Sequence, residues 1–256
     1  MIKREPPELK IIKDEEPDGS STAPHLTAVI PVYNEEGIIE SSVIALRENL
    51  KTLDKSFEIL LAENGSSDNT IDIARELSER YAEVDFFSIP EPNYGAALKE
   101  GILRARGRYV VCDEIDLGDM GFYQHALDVL VSADAAMVVG SKVLAGAQDT
   151  RPFLRHLATA GYNTMLRVLF HYHGTDTHGM KAFRRDVLVG TAGRCVVDRD
   201  VFASEFVIRA ERERHLVVEI PVRVVEKRAP SINLFRRVPN VLRNLSYLTY
   251  VMRVLE

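Results

Sequence analysis

Short runs of apolar residues alternate along this chain with segments in which apolar residues recur at helical spacing. Five runs are rich in β-forming residues and predict strands: LTAVIPV (26–32), FEILLAE (57–63), VDFFSIP (84–90), YVVCDE (109–114) and AAMVVGS (135–141). Three segments predict the helices between them: IIESSVIALRENLKTL (38–53), TIDIARELSERYA (70–82) and residues 94–106. Because the strands are apolar along their whole length, we expect an α/β fold with a mostly parallel sheet covered by helices on both faces.

The alternation weakens after residue 141. A long helical pattern covers residues 154–170, and DTHGMKAFRRDVL (176–188), a further helix and LVVEIPVRVVE (216–226) follow it. We interpret residues 25–231 as one domain, in which residues 25–141 form a regular first half. Residues 142–231 form a second half, which we expect to pack along the edge of the sheet.

Both ends of the chain depart from this pattern. Residues 1–24 are charged, contain proline and lack apolar periodicity, so we expect a disordered tail and not a secretory signal. Residues 232–256 predict a basic amphipathic helix after Pro239, with four arginines among Leu, Val and Tyr: Arg236, Arg237, Arg243 and Arg253. Such a helix either packs on the domain or docks on a membrane surface or a partner.

Composition narrows the classes of function. The 256 residues, of which 46% are hydrophobic, suffice for one sizeable core. A formal net charge of -6 argues against a chain that neutralises nucleic-acid phosphates, so we expect a small-molecule partner and no nucleic acid. Cys112 and Cys195 are the only cysteines, which indicates no disulfide framework and fits a cytoplasmic location. No apolar run reaches the roughly 18 to 20 residues of a membrane-spanning helix.

Polar residues follow three of the predicted strands directly. The first strand ends in PVYNEE (31–36), the second in ENGSSD (63–68) and the fourth in Glu114-Ile115-Asp116. Ligands of open parallel sheets bind outside the carboxyl ends of the strands. These carboxylate-bearing turns therefore predict a cleft that suits a nucleoside and a metal-bound diphosphate.

Seven pieces of the sequence together resemble a known family: VIPVYNEE, ENGSSDNT, NYGAALKEGILRARGRYVV, EIDL, VVGSK, DTHGMKAFRRDVL and VEIPV. In this order and spacing they resemble family 2 glycosyltransferases of the GT-A fold, closest in pattern to dolichyl- or polyprenyl-phosphate mannose synthases. The resemblance runs from Leu26 to about Ser231. The resemblance implies that residues 25–141 bind the nucleotide sugar and that residues 142–231 bind the acceptor.

The resemblance implies a site for the base and ribose of a GDP- or UDP-sugar on the first two turns. The residues that it places there are Pro31, Tyr33, Glu35, Glu63 and Asn64. Family members usually carry two aspartates where Glu63 and Asn64 stand. An amide at the second position changes the hydrogen bonds offered to the base, so the resemblance does not name the nucleoside.

The resemblance also implies a metal site. Counted from Gly107 without a gap, the D-x-D motif of the family falls on Glu114 and Asp116, whose oxygens suit Mg²⁺ or Mn²⁺. Asp113 precedes them by one residue and would face the interior of the fold. Asp119 is either an additional ligand or the acid that caps the following helix.

Basic and acidic residues of the second half complete the implied site. The resemblance points to three cations for the diphosphate: Lys142, Arg155 and Arg228. We expect Arg155 and Asp176, with Asp116, among the catalytic residues. Each cation could instead be a solvated surface charge, and Asp176 could instead be a structural cap.

The function implied is that of a metal-dependent, inverting hexosyltransferase. The acceptor region lacks an adjacent Glu-Asp pair, and a phosphate acceptor needs no general base, which favours a polyprenyl phosphate at a peripheral membrane site. Two alternatives to this function are a transferase with a soluble or carrier-bound acceptor and a catalytically degenerate protein that binds nucleotide sugars. The chain could also form a homodimer. A nucleotidyltransferase would carry a glycine-rich loop after strand one, where PVYNEE is acidic.

Overall fold

The computed structural model describes residues 23–116, 118–149, 153–224 and 234–255. Nine strands lie in this part of the chain: β1 Leu26–Val32, β2 Phe57–Glu63, β3 Val84–Ser88, β4 Tyr109–Cys112, β5 Met137–Ser141, β6 Gln148–Asp149, β7 Lys181–Arg184, β8 Val217–Pro221 and β9 Arg223–Val224. Eight α-helices accompany them: α1 Ile39–Lys51, α2 Thr70–Arg80, α3 Tyr94–Arg104, α4 Met120–Ser132, α5 Phe153–Phe170, α6 Arg185–Arg194, α7 Phe202–Arg212 and α8 Leu234–Tyr250. A π-helical turn, Val251–Leu255, follows α8.

Seven strands form the central sheet in the order β3-β2-β1-β4-β7-β5-β8. All neighbouring strands are parallel except β7, which runs antiparallel to both β4 and β5. The prediction of a mostly parallel sheet is therefore confirmed. The expectation that the second half packs along the sheet edge is wrong for β7, because this strand pairs on both sides and lies inside the sheet.

Helices cover both faces of the sheet, as the continuous apolar strands predicted. On one face, side chains such as Val29 and Val110 pack with α3, α5, α6, α7 and α8. On the other face, Ile30 and Val111 pack with α1, α2 and α4. Successive residues of a strand point to opposite faces, so β1 is buried along its whole length. Cys112 and Cys195 are buried and unpaired.

The carboxyl-terminal helix is amphipathic as predicted, but it begins earlier. It starts at Leu234, so Pro239 lies inside α8 and not before it. Its buried residues Leu245 and Leu248 join the core that also contains Leu166 and Phe170 of α5. The interior of the domain therefore holds one face of α8. Within the described residues we find no helix with both the length and the apolar character needed to traverse a bilayer.

A buried polar network ties the first two strands to the start of β4. The Thr27 hydroxyl donates to Glu58 Oε1 (2.6 Å) and accepts from the amide of Gly107 (2.7 Å). Glu58 also accepts from the amide and from Nε of Arg106, at 2.8 and 2.6 Å. Because Glu58 is buried, its loss would leave these donors without an acceptor.

We predict that Glu58→Ala lowers the free energy of unfolding by about 2 kcal/mol, because buried donors lose their acceptor. Glu100→Ala is the matched control, since Glu100 pairs with Arg104 at 2.6 Å on the surface and should contribute less than about 0.5 kcal/mol. Chemical denaturation of both variants measures the difference. Equal losses for the two variants would show that the Thr27–Glu58 network has no special weight.

Candidate functional site

The turns that follow β1 and β2 are hydrogen-bonded to each other. The amide of Asn34 donates to Ser66 Oγ (2.9 Å), and its side-chain oxygen accepts from the amide of Ser67 (2.8 Å). Glu36 Oε2 accepts from the amide and the side chain of Asn69, at 3.1 and 3.0 Å. Asn34 adopts a φ of 53°, a conformation that asparagine tolerates better than most residues. The two turns therefore form one preformed polar unit at the carboxyl ends of adjacent strands.

Three predicted nucleotide-binding residues lie on or beside β1. Pro31 is buried within the strand, so it contributes to the shape of the site and not an exposed group. Tyr33 is 44% exposed, and Glu35 is half-buried with its backbone amide donating to Thr70 Oγ1 at 2.8 Å. The Tyr33 ring is the accessible apolar surface of this turn.

Glu63 and Asn64 are buried and already engaged. Glu63 Oε1 accepts from the amide of Ser66 (2.5 Å), and its other oxygen accepts from the Ser88 hydroxyl. Asn64 Oδ1 accepts from the amide of Asn93 (2.5 Å), which precedes α3. Glu63 therefore holds the turn after β2 in place through its buried carboxylate. Its predicted contact with the nucleoside stays a prediction.

The acidic segment after β4 has the orientation that the sequence predicted. Asp113 is 3% exposed and accepts from the Tyr123 hydroxyl of α4 (3.1 Å) and from the amide of Glu114 (2.7 Å). Burial raises the pKa of Asp113 to about 7, against the effect of these hydrogen bonds. Glu114 is exposed and Asp116 half-buried, so these two acids lie where a ligand can reach them.

The carboxylates after β4 fit a cation that a substrate helps to coordinate. Glu114 and Asp116 line a cavity of about 140 Å³ with α1 residues that include Ser42 and Asn49. In the part of the chain that the structure describes, no three His, Cys, Asp or Glu residues are grouped to hold a metal ion. Mg²⁺ is commonly bound by one or two carboxylates together with substrate phosphates, and these two acids suffice for that.

Asp119 caps a helix. It precedes α4, and its Oδ1 accepts from the amides of Gly121 (3.0 Å) and Phe122 (3.3 Å). An acid at this position also interacts favourably with the helix dipole. The structure therefore favours the capping role over that of an additional metal ligand.

Lys142 and Asp176 form a buried ion pair at the same edge of the sheet. Lys142 follows β5, and its Nζ lies 3.3 Å from Asp176 Oδ2, with the two side chains 11% and 1% exposed. Asp176 Oδ1 also accepts from the amide of His178 (2.9 Å). Burial alone would raise the pKa of Asp176, but the Lys142 charge and the His178 amide lower it below its usual value. Asp176 is therefore held as a carboxylate.

Sequence reasoning missed the residue that orients Asp176. Glu219 of β8 accepts from the amides of Thr175 (2.7 Å) and Asp176 (3.0 Å) and from the Thr175 hydroxyl (2.9 Å). The Tyr172 hydroxyl donates to the carbonyl of Asp176 at 2.8 Å. The signal was a single acid within the apolar run VVEIP, which lies on a strand beside β5.

The segment between Asp176 and β7 is tightly packed. A Cβ atom on Gly179 would lie 1.8 Å from the carbonyl oxygen of Gly140, so only glycine fits there. The His178 ring meets Tyr162 of α5 edge-on, with ring centroids 4.9 Å apart. Lys181, which sequence reasoning also missed, begins β7 and is 3% exposed.

The remaining predicted cations are less defined. Arg155 lies in the first turn of α5 and is half-buried. Arg228 lies outside the described residues, so its predicted contact with the diphosphate stays a prediction. The structure thus brings Lys142 and Asp176 into contact. It places Glu114-Ile115-Asp116, which we call the E-x-D segment, at the same edge of the sheet.

Two curated proteins are similar in sequence to most of this chain. A dolichyl-phosphate beta-glucosyltransferase of Trichomonas vaginalis is 29% identical over 213 residues, which cover 77% of this chain and 65% of the relative. The glycosyltransferase AglD of Haloferax volcanii is 27% identical over 216 residues, which cover 82% of this chain and 35% of the relative. The chain therefore spans less than two thirds of the length of these two curated relatives.

Solved structures share the fold. Glucosyl-3-phosphoglycerate synthase from Mycobacterium tuberculosis matches with a TM-score of 0.62 at 19% identity, over 88% of this chain and 80% of that chain. A mannosyltransferase from Pyrobaculum calidifontis matches with a TM-score of 0.52 at 18% identity, over 94% and 73%. The predicted GT-A fold is thereby confirmed. The model of the family described as glycosyl transferase family 2 matches residues 27–190, which include the two turns, Glu114, Asp116 and Asp176, and the chain belongs to this family.

Proposed function

We propose that this chain is an inverting glycosyltransferase that moves a sugar from a GDP- or UDP-sugar to a polyprenyl phosphate. The observation that supports this most is that two pairs of charged residues share one sheet edge. Glu114 and Asp116 follow β4, and Lys142, which follows β5, is paired with Asp176, which precedes β7. Carboxylates can hold a divalent cation, and an ammonium can hold a phosphate. The edge thus offers what a diphosphate leaving group and a phosphate acceptor both require.

The nucleoside would bind on the polar unit made by the turns after β1 and β2. Tyr33 offers an exposed ring for stacking on the base, and Glu35 a carboxylate for the ribose. The Mycobacterium synthase was solved with UDP-glucose and the Pyrobaculum enzyme with GDP-mannose. The side-chain oxygen of Asn64 is already engaged with Asn93, so we expect its NH2 group to contribute to the choice of nucleoside.

Glu114 and Asp116 would hold a divalent cation, for which Mg²⁺ and Mn²⁺ are both suited. Both structural relatives were solved with Mn²⁺. When bound, such a cation neutralises charge on the departing diphosphate. Lys142, held by Asp176, and Arg155 add positive charge from the side of β5 and α5.

The state of Asp176 favours a phosphate acceptor. A hydroxyl acceptor needs a general base, whereas a phosphate is already ionised. Asp176 pairs with Lys142 and its pKa lies below the usual value, so it is a weak base, and its role is to position Lys142. The Trichomonas relative named for dolichyl phosphate points the same way. A soluble acceptor is the second candidate, because the Mycobacterium synthase was solved with phosphoglyceric acid.

The exposed face of α8 supports contact with a membrane. Tyr247 and Tyr250 lie three residues apart on α8 and are 52% and 53% exposed, and Val254, in the π-helical turn that follows, is 65% exposed. Arg243, one turn before Tyr247, is also exposed, while the opposite face of the helix is buried. Tyrosine and arginine beside apolar residues suit the headgroup region of an anionic bilayer. We propose that α8 holds the enzyme at the surface that carries its acceptor.

The transfer itself is the direct test. With Mn²⁺, the wild-type chain should move label from one of a panel of GDP- and UDP-sugars to a polyprenyl phosphate, with inversion of the anomeric centre. Asp116→Asn should weaken nucleoside diphosphate binding at least about tenfold, or 1.4 kcal/mol, because a cation ligand loses its charge. Asp119→Asn, which keeps a capping residue, should bind as the wild type does.

Calorimetry and product analysis measure these effects. Equal nucleotide affinity in EDTA and in Mn²⁺ would contradict the assignment of Glu114 and Asp116. Transfer to phosphoglycerate but to no polyprenyl phosphate would replace the lipid acceptor with a soluble one.

Membrane contact is tested by replacing Tyr247, Tyr250 and Val254 together with serine. Partitioning onto anionic vesicles should fall at least about tenfold, because three apolar contacts with the bilayer are lost. The matched control replaces three exposed apolar residues outside α8 with serine: Leu103, Val196 and Leu216. Equal partitioning of the two variants would contradict the proposal. Loss of a wild-type dimer in the first variant would assign the face to a homodimer.

A further inference from the structure

One buried cation at the carboxyl-terminal edge of the sheet has no role in the function proposed above. Lys181 is the first residue of β7, and its register neighbours are Cys112 on β4 and Val139 on β5. Its side chain is 3% exposed, and its Nζ donates to the carbonyl of Gly179 at 2.8 Å. Lys181 therefore lies at the carboxyl-terminal edge of the sheet, between β4, which precedes the E-x-D segment, and β5, which precedes Lys142.

The described residues provide little to offset the cost of burying the Lys181 charge. An ammonium has three donors, and within the described residues one hydrogen bond serves it. Burial lowers the pKa of Lys181 to about 8; the Lys142 charge lowers it as well, against the opposing effects of Cys112, Asp176 and Glu114. A buried charge without a close partner destabilises a fold, and an apolar residue of similar volume would serve packing better. Stability therefore does not explain a lysine at this position.

The charges around Lys181 indicate what it can bind. Asp176 is already paired with Lys142, and Glu219 accepts from the backbone of the same segment. Glu114 belongs to the acidic segment that we assign to a cation. Lys142 pairs directly with Asp176, and the charge of Asp176 also acts on Lys181. A ligand enclosed beside these two ammonium groups would be held where water screens charges weakly.

We propose that Lys181 and Lys142 together form a phosphate site, in which both ammonium groups bind the oxygens of one phosphoryl group where β4, β7 and β5 meet. This inference rests on the proposed function, because either substrate of that reaction supplies such an oxyanion. The phosphate belongs either to the donor diphosphate or to the acceptor monophosphate. Asp176 positions Lys142 within this site.

The experiment compares two neutral variants of Lys181 by calorimetry. Lys181→Met keeps the length of the side chain, and Lys181→Gln keeps a donor for the Gly179 carbonyl. The probes are UDP and GDP with Mn²⁺ for the donor, and farnesyl monophosphate, with farnesol as its uncharged reference, for the acceptor. Both variants should lose at least about tenfold in affinity for one class of probe, because a charge-assisted hydrogen bond is removed.

The matched control is Lys99→Met. Lys99 also donates to a backbone carbonyl, that of Cys195 at 2.7 Å, but it lies on α3 and contacts none of the residues assigned to the site. Its affinities should equal those of the wild type. The unfolding temperature of Lys181→Met should stay unchanged or rise, because a buried charge is removed.

The outcomes separate the two sources of phosphate and the two proposals. A loss confined to UDP or GDP assigns the site to the donor, and a loss confined to farnesyl monophosphate assigns it to the acceptor. Wild-type affinities in Lys181→Gln, or no binding of any probe by the wild type, would overturn the site. If the wild type binds the probes but transfers no sugar, the proposed function fails while the result for Lys181 stands.

Discussion

The antiparallel insertion of β7 between β4 and β5 is the constraint on which the site depends. In a parallel sheet the ligand-binding edge lies at the carboxyl ends of the strands. A strand that runs the other way begins at that edge, so β7 brings the residues that precede it and its first residue to the place where β4 and β5 end. Asp176 and Lys181 thereby join Glu114 and Lys142, although they come from distant parts of the chain.

The polar residues at this edge are fixed largely by other protein groups. Asn34 and Glu36 bind the turn after β2, Asn64 binds the residue before α3, and Glu219 holds the backbone at Asp176. Groups that are already oriented lose little conformational entropy when a ligand binds. The Lys142–Asp176 pair and the two turns therefore act as a preformed frame for a charged substrate.

The strands, their order of alternation and the polar turns could be predicted from the sequence, because each depends on local pattern. The inward direction of Asp113 also followed from the alternation of side chains along a strand. The position of β7 could not be predicted, since KAFR is too short for a period and its pairing with β4 and β5 is long-range. For the same reason Lys181 and Glu219 had no assigned role, and burial of Glu63 beneath its own turn became visible only in the structure.

A crystal structure of the chain with a nucleoside diphosphate and Mn²⁺ would show whether one edge of the sheet holds donor and cation together. We expect Mn²⁺ bound to Glu114 or Asp116 and to the diphosphate, with the base against Tyr33 between the turns after β1 and β2. A nucleotide bound away from the carboxyl ends of β1, β2 and β4, or Mn²⁺ bound without contact to either acid, would contradict this expectation.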